Sequence, residues 1–140
     1  TALSLFWGAM IPSRFLAGIL NVQPKKLFTG FSLIALFSII LAMLVPTNTG
    51  KIILFALCGF GCGPLWPLLM VEAGKRNIGS SGPAMNIMMS FSGSGGAVLP
   101  LIAGVAVTLG GQSAAFYISA ASGTLMLMAF LASLKMPEDT

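Results

Sequence analysis

Five apolar stretches, each about as long as a helix that crosses a bilayer, follow one another along this chain with only short polar breaks between them. A hydrocarbon core of about 30 Å takes roughly 20 helical residues. The stretches fall near 2–21, 27–45, 51–72, 85–108 and 113–134. Their separators are Asn-Val-Gln-Pro-Lys, Pro-Thr-Asn-Thr-Gly, a longer run from Ala73 to Pro83, and Gly-Gly-Gln-Ser, all of them turn chemistry. In lipid the backbone must satisfy its own polar groups, and stretches of this length do so as helices. The chain is therefore expected to be an all-α polytopic membrane protein with five transmembrane helices. Residues 1–140 then form one bundle with no space for a soluble domain. Composition agrees, with 56% apolar and 7% charged residues against about one quarter charged in soluble domains, and a mean hydropathy of +0.98.

The few charges orient the bundle. Lys25, Lys26, Lys75, Arg76 and Lys135 fall in alternate connections and the tail, whereas the opposite side holds Lys51. Basic residues stay on the cytoplasmic side, which predicts a multi-pass protein of the cell membrane, such as a bacterial inner membrane, with a cytoplasmic C-terminus. No charge run is present to grip nucleic acid. The chain has no histidine, which removes the usual general base and the commonest metal ligand. Cys58 and Cys62, four apart, supply half of a four-ligand zinc site and read as small packing residues. Neither a cofactor, a metal site nor an enzyme is expected. The first stretch lacks the basic leader of a signal peptide and carries Arg14 within it. An odd number of spans and a first residue, Thr1, that is not methionine suggest the C-terminal part of a longer chain.

The spans differ in kind. The second and fifth are mostly Leu, Ile, Phe, Met and Ala and look suited to lipid. The third holds Gly59, Gly61, Gly63, Pro64, Trp66 and Pro67, and the fourth holds Asn86, Ser90, Ser92, Gly93, Ser94, Gly95, Gly96, Pro100 and Gly104. Small residues let membrane helices approach, and bent helices persist where protein or water satisfies the freed carbonyls. The third and fourth spans are therefore expected to line a pathway, with plain helix packing as the alternative. Gly59 and Gly63 have small-xxx-small spacing. Their likeness to a dinucleotide loop fails, because that loop needs a βαβ unit and an acid about 20 residues on. Gly93-Ser94-Gly95 likewise suggests an intramembrane protease only until the missing histidine is considered. Arg14 lies inside the first span, where arginine costs roughly 2.5–3.5 kcal/mol. It either snorkels to the rim or pairs with Glu72 at the end of the third span as a gating or bracing pair.

Three stretches carry a resemblance to the C-terminal half of a major facilitator superfamily transporter, helices eight to twelve. Trp7-Gly8 through Ser13-Arg14-Phe15-Leu16-Ala17-Gly18 with Pro24-Lys25-Lys26 resembles helix eight and its basic turn. Gly59 through Pro67, followed by Glu72-Ala73-Gly74-Lys75-Arg76, resembles helix ten and its rim. Gly79-Ser80-Ser81-Gly82 with Gly93 through Gly104 resembles helix eleven. The fucose, glucose and galactose proton symporters look the most similar subgroup. The resemblance implies part of a six-helix C-terminal bundle that rocks against an N-terminal half of the same chain by alternating access around a midplane site. Helices eight, ten and eleven would line the cavity. It implies proton-coupled uptake of a sugar or similar small solute, with Trp7, Trp66, Asn86, Ser90 and Ser94 as substrate-binding residues, since indoles stack on sugar faces and amides and hydroxyls bond their hydroxyls. Helix seven and any midplane carboxylate are absent, so proton coupling would reside in other sequence. The alternative is a five-span accessory protein that binds partner helices and does not transport.

Overall fold

The computed structural model describes residues 2–77, 79, 81–111 and 113–134. It is built from six helices, α1 (Ala2–Ile19), α2 (Pro24–Leu44), α3 (Asn48–Cys62), α4 (Leu65–Arg76), α5 (Ser81–Gly110) and α6 (Ser113–Ser133), with no strand among the described residues. α3 and α4 together form one interrupted span, Asn48–Arg76, so the chain has five helical segments long and apolar enough to cross a membrane. The protein is an all-α polytopic membrane protein. Lys135, Glu138, Asp139 and Ser80 lie outside the described residues.

Local chemistry sets the boundaries. Pro24 opens α2, where its missing N–H is no loss and its fixed φ suits the first turn. The helix closes at Val45, which is extended at ψ 123° because it precedes Pro46. α5 ends where Gly111, at φ +75°, donates its N–H to the Val107 carbonyl at 2.9 Å. That is the left-handed cap that glycine adopts without strain. At thirty residues α5 is about 45 Å long, longer than the hydrocarbon core and so expected to tilt or to project from it.

α2 is the hub of the bundle. It packs against α3, α4 and α6, while α3 also packs on α1, and α5 reaches the bundle through α6 and α4. One core layer joins Leu27, Phe28 and Phe31 of α2 to Leu65 and Leu68 of α4 and Phe130 of α6, with the Phe28 and Phe130 rings 3.9 Å apart. A second joins Ala35 and Ile39 to Cys58 of α3. The second span is therefore a central helix on one face, while Leu33, Phe37, Ile40, Leu41 and Leu44 leave its other face exposed and apolar, as lipid contact requires. An all-apolar helix suits a protein core as well as lipid, and composition by itself does not distinguish them. α6, in contrast, has Phe130 as its one buried residue, and α5 has none.

Glycines on α3 decide how closely the hub assembles. Gly59 and Gly63 face α1, where a Cβ would meet the Phe6 carbonyl and the Ser13 hydroxyl, whereas one at Gly61 would lie 2.6 Å from the Ala35 nitrogen of α2. The Gly59–Gly63 spacing thus works as expected, and Gly61 repeats the device on the opposite face. Lipid tails give no hydrophobic push between helices, so stability depends on such close backbone approach.

Candidate functional site

The third span is interrupted because two prolines, Pro64 and Pro67, remove two donors within one helical turn. In an unbroken helix Pro64 would bond the Phe60 carbonyl and Pro67 the Gly63 carbonyl, but neither has an N–H. Gly63 keeps right-handed helical angles, φ −52° and ψ −53°, directly before a proline, which a residue with a Cβ avoids. The kink leaves the Gly63 carbonyl without its helical partner. Arg14 of α1 supplies one, its Nε donating to that oxygen at 3.0 Å. The intramembrane arginine is therefore explained by the orphaned carbonyl across from it.

Arg14 and Glu72 consequently take different partners, in place of the pair expected between them. Glu72, 6% exposed, accepts from Arg76 Nε at 3.0 Å, one helical turn on, and lies 3.3 Å from Lys25 Nζ. Arg76 also donates from Nη1 to the Ser133 carbonyl at 2.8 Å. This cluster ties the start of α2 to the ends of α4 and α6. The charges suit their positions, since Arg76 sits against the C-terminal carbonyls of α6, where a cation is favoured. Lys25 stands in the first turn of α2, which lacks an acid of its own, and Glu72 supplies the carboxylate. Replacing Glu72 by Gln keeps the shape and removes the charge that holds both cations. The substitution is expected to cost about 1–3 kcal/mol, read as lower thermal stability of the purified chain in lipid nanodiscs, with little change on adding salt because the carboxylate is buried.

The five residues expected to bind substrate lie on the outer faces of this bundle. Trp7 on α1 is 58% exposed and Trp66 on α4 is 37% exposed. Asn86, Ser90 and Ser94 are also exposed and form one stripe along α5, spaced four apart. Ser90 Oγ donates to the Asn86 carbonyl and Ser94 Oγ to the Ser90 carbonyl, each at 3.0 Å. Their hydroxyls thus serve their own helix and keep lone pairs open as acceptors. On the same helix, added Cβ atoms at Gly93, Gly95, Gly96 and Gly104 would meet nothing within 4 Å. These glycines, unlike those of α3, do not mediate packing within the described bundle.

A separate cleft of about 490 Å³, open on one side, lies between α2, α3 and α6, with Phe6 of α1, Leu65 of α4 and Leu99 of α5 also in its wall. None of the five expected residues lines it. Its wall includes Ser32, Cys58, Cys62 and Met126. Sequence reading took the cysteines as packing residues and passed over Ser32, because one serine in an apolar helix gives no periodic signal. The Arg14 contact did have a signal in the sequence, namely Pro67 four residues after Gly63. No His/Cys/Asp/Glu group able to hold a metal occurs among the described residues. Compared with protein-family models, curated proteins and solved structures, the chain finds no match.

Proposed function

We propose that this chain is the C-terminal bundle of a secondary active transporter of the major facilitator type, working by alternating access in proton-coupled uptake of a sugar or similar small solute. The observation that carries the proposal is the outer face of α5. A helix with no buried residue displays an amide and two hydroxyls in line, with open glycines nearby. Polar groups at membrane depth face protein or water in preference to lipid, so this face fits the wall of an aqueous path closed by another bundle. Trp7 and Trp66, also outward, fit the same wall as stacking surfaces. The interrupted third span adds support, since discontinuous helices recur at transport sites. On this reading the Lys25–Glu72–Arg76 end is cytoplasmic.

The test is uptake by the complete protein in proteoliposomes with an imposed proton gradient, over a panel of radiolabelled hexoses and pentoses. Gradient-dependent uptake is expected for at least one sugar. Asn86→Ala is expected to raise KM about 3- to 10-fold, the effect of one hydrogen bond. Absence of uptake for the whole panel, together with a stable partner helix co-purifying on α5, would establish the accessory-protein reading instead.

A further inference from the structure

The end of the bundle away from the Glu72 cluster holds a polar pocket of about 270 Å³. Asn48 and Lys51 from the first turn of α3 line it, with Ser113 and Tyr117 from the start of α6. The helices leave the apolar layer here, at the level of lipid headgroups. Lys51 is half-buried and makes no ion pair among the described residues. Glu72 is the one acid among those residues, and it serves Lys25 and Arg76 at the far end. The side chains of Asn48, Ser113 and Tyr117 likewise make no hydrogen bond among the described residues. Both α3 and α6 begin at this pocket with no acid in the first turn, so their N-terminal N–H groups add positive potential to that of the lysine.

The same three helices carry the pocket into the apolar cleft. On α3, Asn48 and Lys51 line the pocket, and Phe55, Cys58 and Cys62 line the cleft. Spaced by three and four, these five residues form one stripe along the helix. On α2 the step from pocket to cleft is from Ala42 to Ile39, and on α6 it is from Phe116 to Ser119, each about 4.5 Å along the axis. Met43 and Phe116 of the pocket also pack on the layer formed by Ala35, Ile39 and Cys58. Between Phe55 and Cys62 the cleft extends from roughly 6 to 16 Å beyond Lys51 along α3, and no charged residue lines it. A cationic hollow at headgroup level thus stands one helical turn from an apolar one that opens sideways at the depth of lipid tails.

We propose that the two hollows together hold one phospholipid with an anionic, amine-free headgroup, its phosphate at Lys51 and an acyl chain in the cleft. The charge of the pocket is complementary to phosphate, and the amide and hydroxyls of Asn48, Ser113 and Tyr117 suit the hydroxyls of a glycerol headgroup. An amine headgroup would add a cation where the described residues offer no carboxylate. A free phosphate would leave the apolar lining of Ala42, Met43 and Phe116 and the cleft beyond it unfilled. A further spanning helix, about 10 Å across and 30 Å long, has several times the volume of the cleft. The proposal is independent of the transport reading and of which side of the membrane this end faces.

The test uses the purified full chain, ¹³C-methyl-labelled at methionine, in nanodiscs of deuterated phosphatidylcholine with increasing mole fractions of protonated phosphatidylglycerol or phosphatidylethanolamine. Methyl shifts and contacts with tail protons are followed at Met43 in the pocket and Met126 in the cleft, with exposed Met89 and Met128 as lipid-phase controls. Saturable changes at Met43 and Met126 alone are expected, with half-saturation about fivefold lower for phosphatidylglycerol than for phosphatidylethanolamine, the effect of one cation near a charged surface. Lys51→Gln is expected to remove that preference and Lys51→Arg to keep it. Equal half-saturation for the two lipids would overturn the proposal, as would a preference that survives in Lys51→Gln or changes that rise without saturation equally at all four methyls. Saturation of Met43 by soluble glycerol phosphate, with Met126 unmoved by phosphatidylglycerol, would also overturn it, because the pocket would then be a site for free phosphate.

Discussion

Gly61→Val is expected to prevent the bundle from assembling, whereas Gly95→Val, an identical substitution in another span, is expected to leave it intact. A Cβ at Gly61 would lie 2.6 Å from the Ala35 nitrogen and 2.8 Å from the Phe31 carbonyl oxygen. Both are backbone atoms of α2, so relief requires moving the hub helix and not merely turning a side chain. Overpacking a core costs typically 1–3 kcal/mol, and a clash with several backbone atoms of one packed helix belongs at or above the top of that range. The same shift would pull α3 off the core layer of Ala35, Ile39 and Cys58. At Gly95 there is nothing within 4 Å to meet, and valine is only slightly worse than the best helix formers, while glycine is among the poorest. Size-exclusion profiles and thermal unfolding of the two variants in the same nanodiscs check the contrast. Equal behaviour would show that α3 and α2 are not in the close contact described.

Arg14→Leu is expected to destabilise the chain by about 1.5–3 kcal/mol, the range for a hydrogen bond to a charged donor. Pro67→Ala is expected to recover much of that loss. The rescue follows from the origin of the orphaned carbonyl. Gly63 lacks a helical donor because residue 67 is proline, and alanine at that position restores an N–H four residues on. Arg14→Leu in the Pro67→Ala background should then cost less than in the parent chain by about 1 kcal/mol or more, a coupling within the range seen for residues in contact. A purely apolar role for the arginine stem, or snorkelling to the rim, predicts additive effects. Thermal unfolding of the four proteins of this cycle distinguishes the two. On the transport reading the same pair offers a functional measure, because restoring one of the two missing donors would alter the helix that carries Trp66.

Several features of the fold were legible in the residues before any coordinates. Length and hydropathy required five spanning helices, since only a helix satisfies its own backbone polar groups across lipid with single stretches of this size. Proline and glycine marked the turns, and each expected stretch lies over a helix or helix pair that differs at its ends by a few residues. The close approach at Gly59 and Gly63 was also readable, because two small residues four apart share one helix face. Charge placement survives in three dimensions as a basic cluster with Glu72 at one end and Lys51 near Asn48 and Tyr117 at the other.

Which face of each helix is covered was decided only by the assembled structure. The second and fifth spans look alike in composition, yet α2 is the buried hub and α6 lies mostly open. Apolar side chains meet lipid and protein interior with nearly equal ease, so the sequence carries no hydrophobic pattern to separate the two. The partner of Arg14 was decided in the same way. Counting charges pointed to Glu72, but the tertiary fold set the guanidinium beside a backbone carbonyl that proline had left open, while Lys25 and Arg76 were nearer to the carboxylate. The sequence by itself determined the number, length and order of the spans, because these depend on local hydrogen bonding and on the thickness of the bilayer. The hub helix, the partner of Arg14 and the pocket around Lys51 emerged only with the tertiary structure, because each depends on how closely backbones from distant parts of the chain can approach.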